Sequence, residues 1–355
     1  MPDTTNLSEA KRALLEKYLG AAASRSTPPA LHTGKEVVGQ RERVIPVQTA
    51  GTRLPFFFLH GQYEGNAFFC HPLARDLGAD QPFYVLEPYN FDGLSSMPAF
   101  EEMAASHLQS LRAVQPEGPY LLGGWCNGGL LAYEMARQLL VQGQKVDLLV
   151  VLDCVPLVYN THLRLLRSLT GHSGKLLRFD PGKQLDLFLS LRHLFRYAFA
   201  RLRHLYRYTR HIYRLLRYHQ FRKMSSSERW LYFGAKKFNE PLPEMPENNV
   251  PVPIPHDPAL AFPGLDRKTL RQDYPGVYEW IAMDYRPRGL YPGKVTFFWS
   301  EGEIYRYGWL KMEGTSEVEI HHIPGDHVTC RTDYLHELAQ YLKGCLDRAK
   351  SASPS

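Results

Sequence analysis

The stretch 119–139, PYLLGGWCNGGLLAYEMARQL, constrains the fold of this chain more than any other. A short apolar run, Tyr120 to Leu122, enters a Gly-rich turn, and strong helix formers follow at once. A strand must therefore turn into a helix within a few residues. Gly124 and Gly128 leave room for that turn and place Cys126 at its apex, in a G-x-C-x-G pattern that has the shape of G-x-S-x-G with sulfur in place of oxygen. A side chain there lies near the N-terminus of the following helix, where free N–H groups and the helix dipole favour a thiolate. The backbone N–H of Asn127 points to where an oxyanion would form.

The surrounding sequence supplies the sheet that such a turn needs. Strand candidates RVIPVQ, PFFFLHG, PFYVLEP, PYLLGG and VDLLVVLD alternate with the helical segments NAFFCHPLARDLG, AFEEMAASHLQSLRAVQ and NGGLLAYEMARQLLVQG. Short, nearly continuous apolar strands separated by helices predict an α/β fold with a mostly parallel sheet covered on both faces. The alternation stops after Asp153 and resumes with KVTFFWS, VEIHHIPG and a final helix, DYLHELAQYLKGCLDRAK. The expected organisation is thus an N-terminal helix and linker over 1–40, a core formed by 41–154 and 291–350, and a helical, basic insertion over 155–290.

Five dispersed cysteines without C-x-x-C pairs argue against a disulfide framework or a structural zinc site, and no metal is expected. No apolar run is long enough to span a bilayer, and the N-terminus lacks the layout of a signal peptide. A cytoplasmic location is the default expectation.

A thiol nucleophile needs a base, and the base an orienting acid. His327 in HHIPGDHVTC follows a strand and precedes the last helix, which makes it the base candidate. Two positions compete for the acid: Asp153, at the end of the strand after the turn, and Glu301 or Glu303, after the later strand. Nucleophile, acid and histidine occur in the chain order of the α/β-hydrolase fold. The second oxyanion donor is expected in His60-Gly61-Gln62, with Gly61 allowing close approach and Gln62 offering its N–H. His321 and His322 alternate along a strand, so they cannot both face the base.

LHGQYEGNAFFCHPLARDL, PYLLGGWCNGGLLAYEMARQL, LLVVLDCVP and IPGDHVTC together resemble the thioesterase domains of nonribosomal peptide and polyketide synthases. The resemblance implies an α/β-hydrolase fold with a helical lid formed by the insertion. It also implies Asp153 as the acid, and an acyl group delivered on the phosphopantetheine of a carrier protein, with no other cofactor bound. The chain departs from the family in its cysteine nucleophile, its long basic lid and the absence of a carrier signature. It is expected to meet acyl or peptidyl carrier proteins in trans, in antibiotic-type biosynthesis.

Sulfur changes the expected chemistry. Transfer from pantetheine to Cys126 exchanges one thioester for another and keeps the acyl group activated. The expected activity is therefore that of a Cys-dependent acyl or aminoacyltransferase, similar to stand-alone enzymes that shuttle aminoacyl groups between carriers. Release by aminolysis, cyclisation or hydrolysis is the alternative. A minor alternative is a non-catalytic protein, or one that binds nucleic acid or a membrane surface through its basic lid. In the lid, Leu194, Phe195, Ala198, Leu202, Leu205, Tyr206, Ile212, Tyr213 and Leu216 form one apolar stripe, expected to pack on the domain. Arg203, Arg207, Arg210 and Arg214 fall largely elsewhere on that helix, as candidates to face an acidic carrier.

Overall fold

The computed structural model describes residues 43–352, except 64–66, 95, 155–160, 224–265, 287–290, 301–308 and 310–314. Side chains are also not described at 203–205 and 207–222 of one long helix. The expected N-terminal helix and linker, 1–40, lie outside the described residues.

Seven strands form one sheet: β1 (Val44–Gln48), β2 (Phe56–Leu59), β3 (Phe83–Leu86), β4 (Tyr120–Trp125), β5 (Val146–Leu152), β6 (Tyr291–Trp299) and β7 (Thr315–His322). Their spatial order is β1-β3-β2-β4-β5-β6-β7. β1 pairs antiparallel with β3, and every other pairing is parallel. Crossover helices are α1 (Cys70–Leu77), α2 (Phe100–Arg112) and α3 (Asn127–Val141). Between β5 and β6 run α4 (Thr161–Leu176), α5 (Pro181–Lys223), α6 (Arg267–Arg271) and α7 (Tyr274–Ala282); α8 (Leu335–Ala352) closes the chain.

The apolar strands are continuous because both faces of the sheet are buried. In β2, Phe57 and Leu59 join the core under α2 and α3, whereas Phe56 and Phe58 join the core under α1 and α8. Alternation with period two thus feeds two separate cores from one four-residue run. This is the α/β-hydrolase arrangement, with the Cys126 turn at the end of a central strand.

The segment between β5 and β6 is anchored by buried charge. Arg192 of α5 donates to Asp273 at 2.6 Å and to Glu279 at 2.6 and 3.0 Å, and His193 faces the same Asp273 at 2.9 Å. Glu134 of α3, fully buried, accepts from Arg137 and from Tyr285, just beyond α7. These polar groups are satisfied in place, as burial demands.

One expectation is corrected here. The apolar stripe of α5 does not pack on the domain among the described residues: Leu194, Phe195, Leu202 and Tyr206 are 46–65% exposed. Toward the start of α5, Leu185, Phe188 and Leu189 are buried. The 43-residue helix outruns the core that its first turns pack against.

Candidate active site

β4 ends at Trp125 and α3 begins at Asn127, so Cys126 alone makes the turn. Its backbone is at φ 53°, ψ −124°, a conformation that costs an L-residue about 1–3 kcal/mol. Neighbouring backbone holds it there: Cys126 N donates to Leu152 O at 2.9 Å, and Gly129 N donates to Cys126 O at 3.0 Å. A Cβ at Gly124 would lie 2.2 Å from Gly128 O, and one at Gly128 would lie 2.2 Å from Leu59 O. The two glycines are therefore required by close packing on both sides of the turn.

Asp153 follows β5 with its own positive φ of 41° and is 2% exposed. Its Oδ1 accepts from Ser300 N–H at 2.7 Å, and its Oδ2 lies 3.4 Å from His327 Nδ1. The Cys330 thiol, buried beside it, donates to Oδ2 at 3.7 Å. The His327 ring also interacts with the Cys126 side chain, which helps to favour its charged form. Its ring stacks on Trp125, with centroids 4.4 Å apart and planes 22° apart. Burial works against charging this imidazole. Asp153 and Cys126 together outweigh burial and raise the His327 pKa to about 9, so the ring is a cation at neutral pH.

The loop after β2 lies directly against the turn. A Cβ on Gly61 would meet Trp125 O at 2.2 Å and Gly128 N at 2.6 Å. Gln62 N–H, expected to face an oxyanion, donates to His60 Nδ1 at 3.3 Å. Burial lowers the His60 pKa to about 4, so that ring is a neutral acceptor. Asn127 begins α3, and its carbonyl accepts from Tyr278 of α7 at 2.8 Å. A cavity of about 510 Å³ opens beside this loop, with His60, Gln62, Tyr63, Glu87 and Tyr274 in its lining.

Of the residues singled out by sequence, Cys126, Asp153 and His327 come together, with Gln62 and Asn127 on flanking segments. Glu301 and Glu303 lie outside the described residues. Arg203, Arg207, Arg210 and Arg214 sit on the α5 backbone, with side chains outside the described set. Sequence reasoning missed Cys330, Ser300 and Arg331, whose contacts cross from loops far apart in the chain. Trp125 is next to Cys126 in the sequence, and its stacking on His327 emerges only in the fold. For Trp125 the signal was adjacency to Cys126; for the others no pattern in the sequence marks them.

Among the described residues, one group has metal-ligating types close together: Glu319, His321 and Cys345, with ligand atoms within 4.8 Å of one another. Lys294 already approaches Glu319 at 2.9 Å, and Arg348 donates to Glu319 at 2.7 Å and to Cys345 Sγ at 3.2 Å. Two cations already pair with members of this group, which forms an ion-pair network. No helix among the described residues is long and apolar enough to cross a membrane.

Residues 56–223 match the thioesterase domain family. A dimodular nonribosomal peptide synthase of Bacillus subtilis (strain 168) is 37% identical over 115 residues, 32% of this chain and 5% of that protein. The non-reducing polyketide synthase atnG of an Arthrinium species is 43% identical over 101 residues, 28% of this chain and 5% of that protein. The matched segments are thus small parts of much longer synthases. A solved structure of the NocB thioesterase domain from the nocardicin cluster aligns with 86% of this chain and 99% of its own length, at TM-score 0.49 and 18% identity. Residues 56–223 are thus similar to thioesterase domains, and they lie on an α/β-hydrolase architecture whose sequence relatives are nonribosomal peptide and polyketide synthases.

Proposed function

We propose that this chain takes an acyl group from a phosphopantetheine thioester onto Cys126 and passes it, still activated, to the thiol of a second carrier. The observation that carries this reading is a thiol at the apex of the strained turn, with the His327 ring beside it and Asp153 Oδ2 3.4 Å from that ring's Nδ1. An imidazolium beside sulfur favours the nucleophilic thiolate. Attack on the thioester carbonyl forms the C–Sγ bond and pushes the carbonyl electron pair onto oxygen, which Gln62 and Asn127 N–H stabilise. Collapse expels pantetheine sulfur, which takes its proton from His327. Asp153 holds the ring oriented and favours its charged form. A second pantetheine thiol then gives its proton to His327 and reverses the sequence.

Release is the second reading, and the match to the thioesterase family favours it. Water, an amine or a hydroxyl of the acyl chain itself would replace the second thiol, and all steps up to acyl-S-Cys126 are shared. Carriers acting in trans and aminoacyl substrates belong to the first reading.

The test presents an acylated carrier and a second, empty one, with mass spectrometry of the enzyme and both carriers. The transfer reading expects an adduct on Cys126 that discharges to the second carrier. Acyl group recovered only as free acid or cyclised product overturns transfer in favour of release. A lack of any Cys126 adduct overturns both.

A further inference from the structure

We propose that Arg331 is a positioning residue that locks the oxyanion loop to the turn and to the base. The inference rests on the acyl-Cys126 step, which transfer and release share. Arg331 lies four residues beyond His327, in a single 3₁₀ turn over Thr329–Arg331. With the Gln62 carboxamide turned so that its oxygen faces the guanidinium, Nη1 and Nη2 both donate to it at 2.9 Å. The same guanidinium carbon sits 4.3 Å from the centroid of the Trp125 ring and 5.4 Å from that of Phe69. Trp125 in turn stacks on His327. One side chain therefore touches the loop holding the candidate oxyanion donor and the residue before the nucleophile, and it springs from the loop that carries the base.

The need for such a lock follows from Gln62. Its N–H is turned to the neutral His60 ring at 3.3 Å, a long and weak bond. Small rotations of the 61–62 peptide decide whether that N–H serves His60 or a developing oxyanion. A fork of two charge-assisted hydrogen bonds on the Gln62 side chain restricts those rotations. Lysine could supply the charge but neither the fork nor the planar face over Trp125.

Thiolate formation and oxyanion stabilisation can be read separately. Alkylation of Cys126 by iodoacetamide needs the thiolate but no oxyanion donor, whereas acylation by an N-acetylcysteamine thioester needs both. For Arg331→Ala and Arg331→Lys, single-turnover acylation is expected to fall about 10–100-fold. Alkylation is expected to stay within about threefold, with an unchanged pH profile. Gln62→Ala, which keeps its backbone N–H, lowers acylation similarly, and adding Arg331→Ala to it costs little more because the two act as one unit. Parallel loss of alkylation and acylation, or additive effects in the double variant, overturns the proposal. Should Arg331→Ala fail to fold, Arg331→Lys and the Gln62→Ala cycle built on it give the same readout. Acylation precedes acceptor choice, so wild-type enzyme that only hydrolyses its adduct overturns transfer and leaves the Arg331 proposal standing. Wild type that never acylates overturns both.

Discussion

Replacing Asp153 by Asn isolates the forces on His327. Burial alone would push the imidazole below its ordinary 6.5; Asp153 and Cys126 lift it to about 9. In Asp153→Asn the burial penalty remains while one source of the lift is gone, so the titration midpoint should fall by at least a unit. NMR of the His327 Cε1 proton measures this directly, and an unchanged midpoint would mean that Cys126 alone holds the proton. The direction carries over to stability. A histidine raised in the folded state stabilises fully below its unfolded value of about 6.5 and loses that contribution as pH rises through about 9. The Tm gap between wild type and Asp153→Asn should thus be widest near pH 6 and close above pH 9. A gap that widens with pH would contradict the pairing.

At the level of elements, the turn and the insertion fail in different ways. In Gly128→Ala the new methyl meets the β2 carbonyl of Leu59 at 2.2 Å, backbone that cannot step aside. That variant should lose about 3 kcal/mol in urea unfolding and lose Cys126 acylation with it; near-native activity would mean that the turn is pliable. Arg192→Ala removes the guanidinium that Asp273 and Glu279 share, leaving Asp273 only its His193 contact on α5, and should cost about 3 kcal/mol. Limited proteolysis should then cut α5 well before the sheet; unchanged resistance would count against the anchor. The turn was legible from sequence because glycine spacing, a strand period and a helix pattern all act within some twenty residues. The strands were legible for the same local reason. The exposed stripe on α5 was misread because a 3.6-residue period shows which residues share a face and not what lies opposite. Arg331 was invisible because its partners Gln62 and Trp125 reach it only through the folded sheet.

Across the whole molecule, positive charge is concentrated in one place. Residues 161–223 hold 15 Lys and Arg and only two carboxylates, Asp180 and Asp186, while the rest of the chain has 27 Lys and Arg against 34 Asp and Glu. The net charge of +6 therefore conceals a strongly basic segment on an acidic remainder. Some of that charge is neutralised at the base: Arg192 pairs within the domain, and Arg167 meets Asp284 at 2.6 Å. Farther along α5, Arg196 and Arg201 are exposed beside Phe195, Phe199 and Leu202. A field of one sign steers a partner of the other, and salt screens it within about 10 Å at 0.1 M. If the acyl donor is an acidic carrier, loading of Cys126 should slow about tenfold or more between roughly 50 and 500 mM salt. Loading from a neutral N-acetylcysteamine thioester samples the same chemistry without the field and should change less than about twofold. Stopped-flow loading from both donors across that range decides the matter. Equal salt sensitivity would assign the effect to the active site, and no sensitivity with the carrier would leave the basic helix without a part in its encounter.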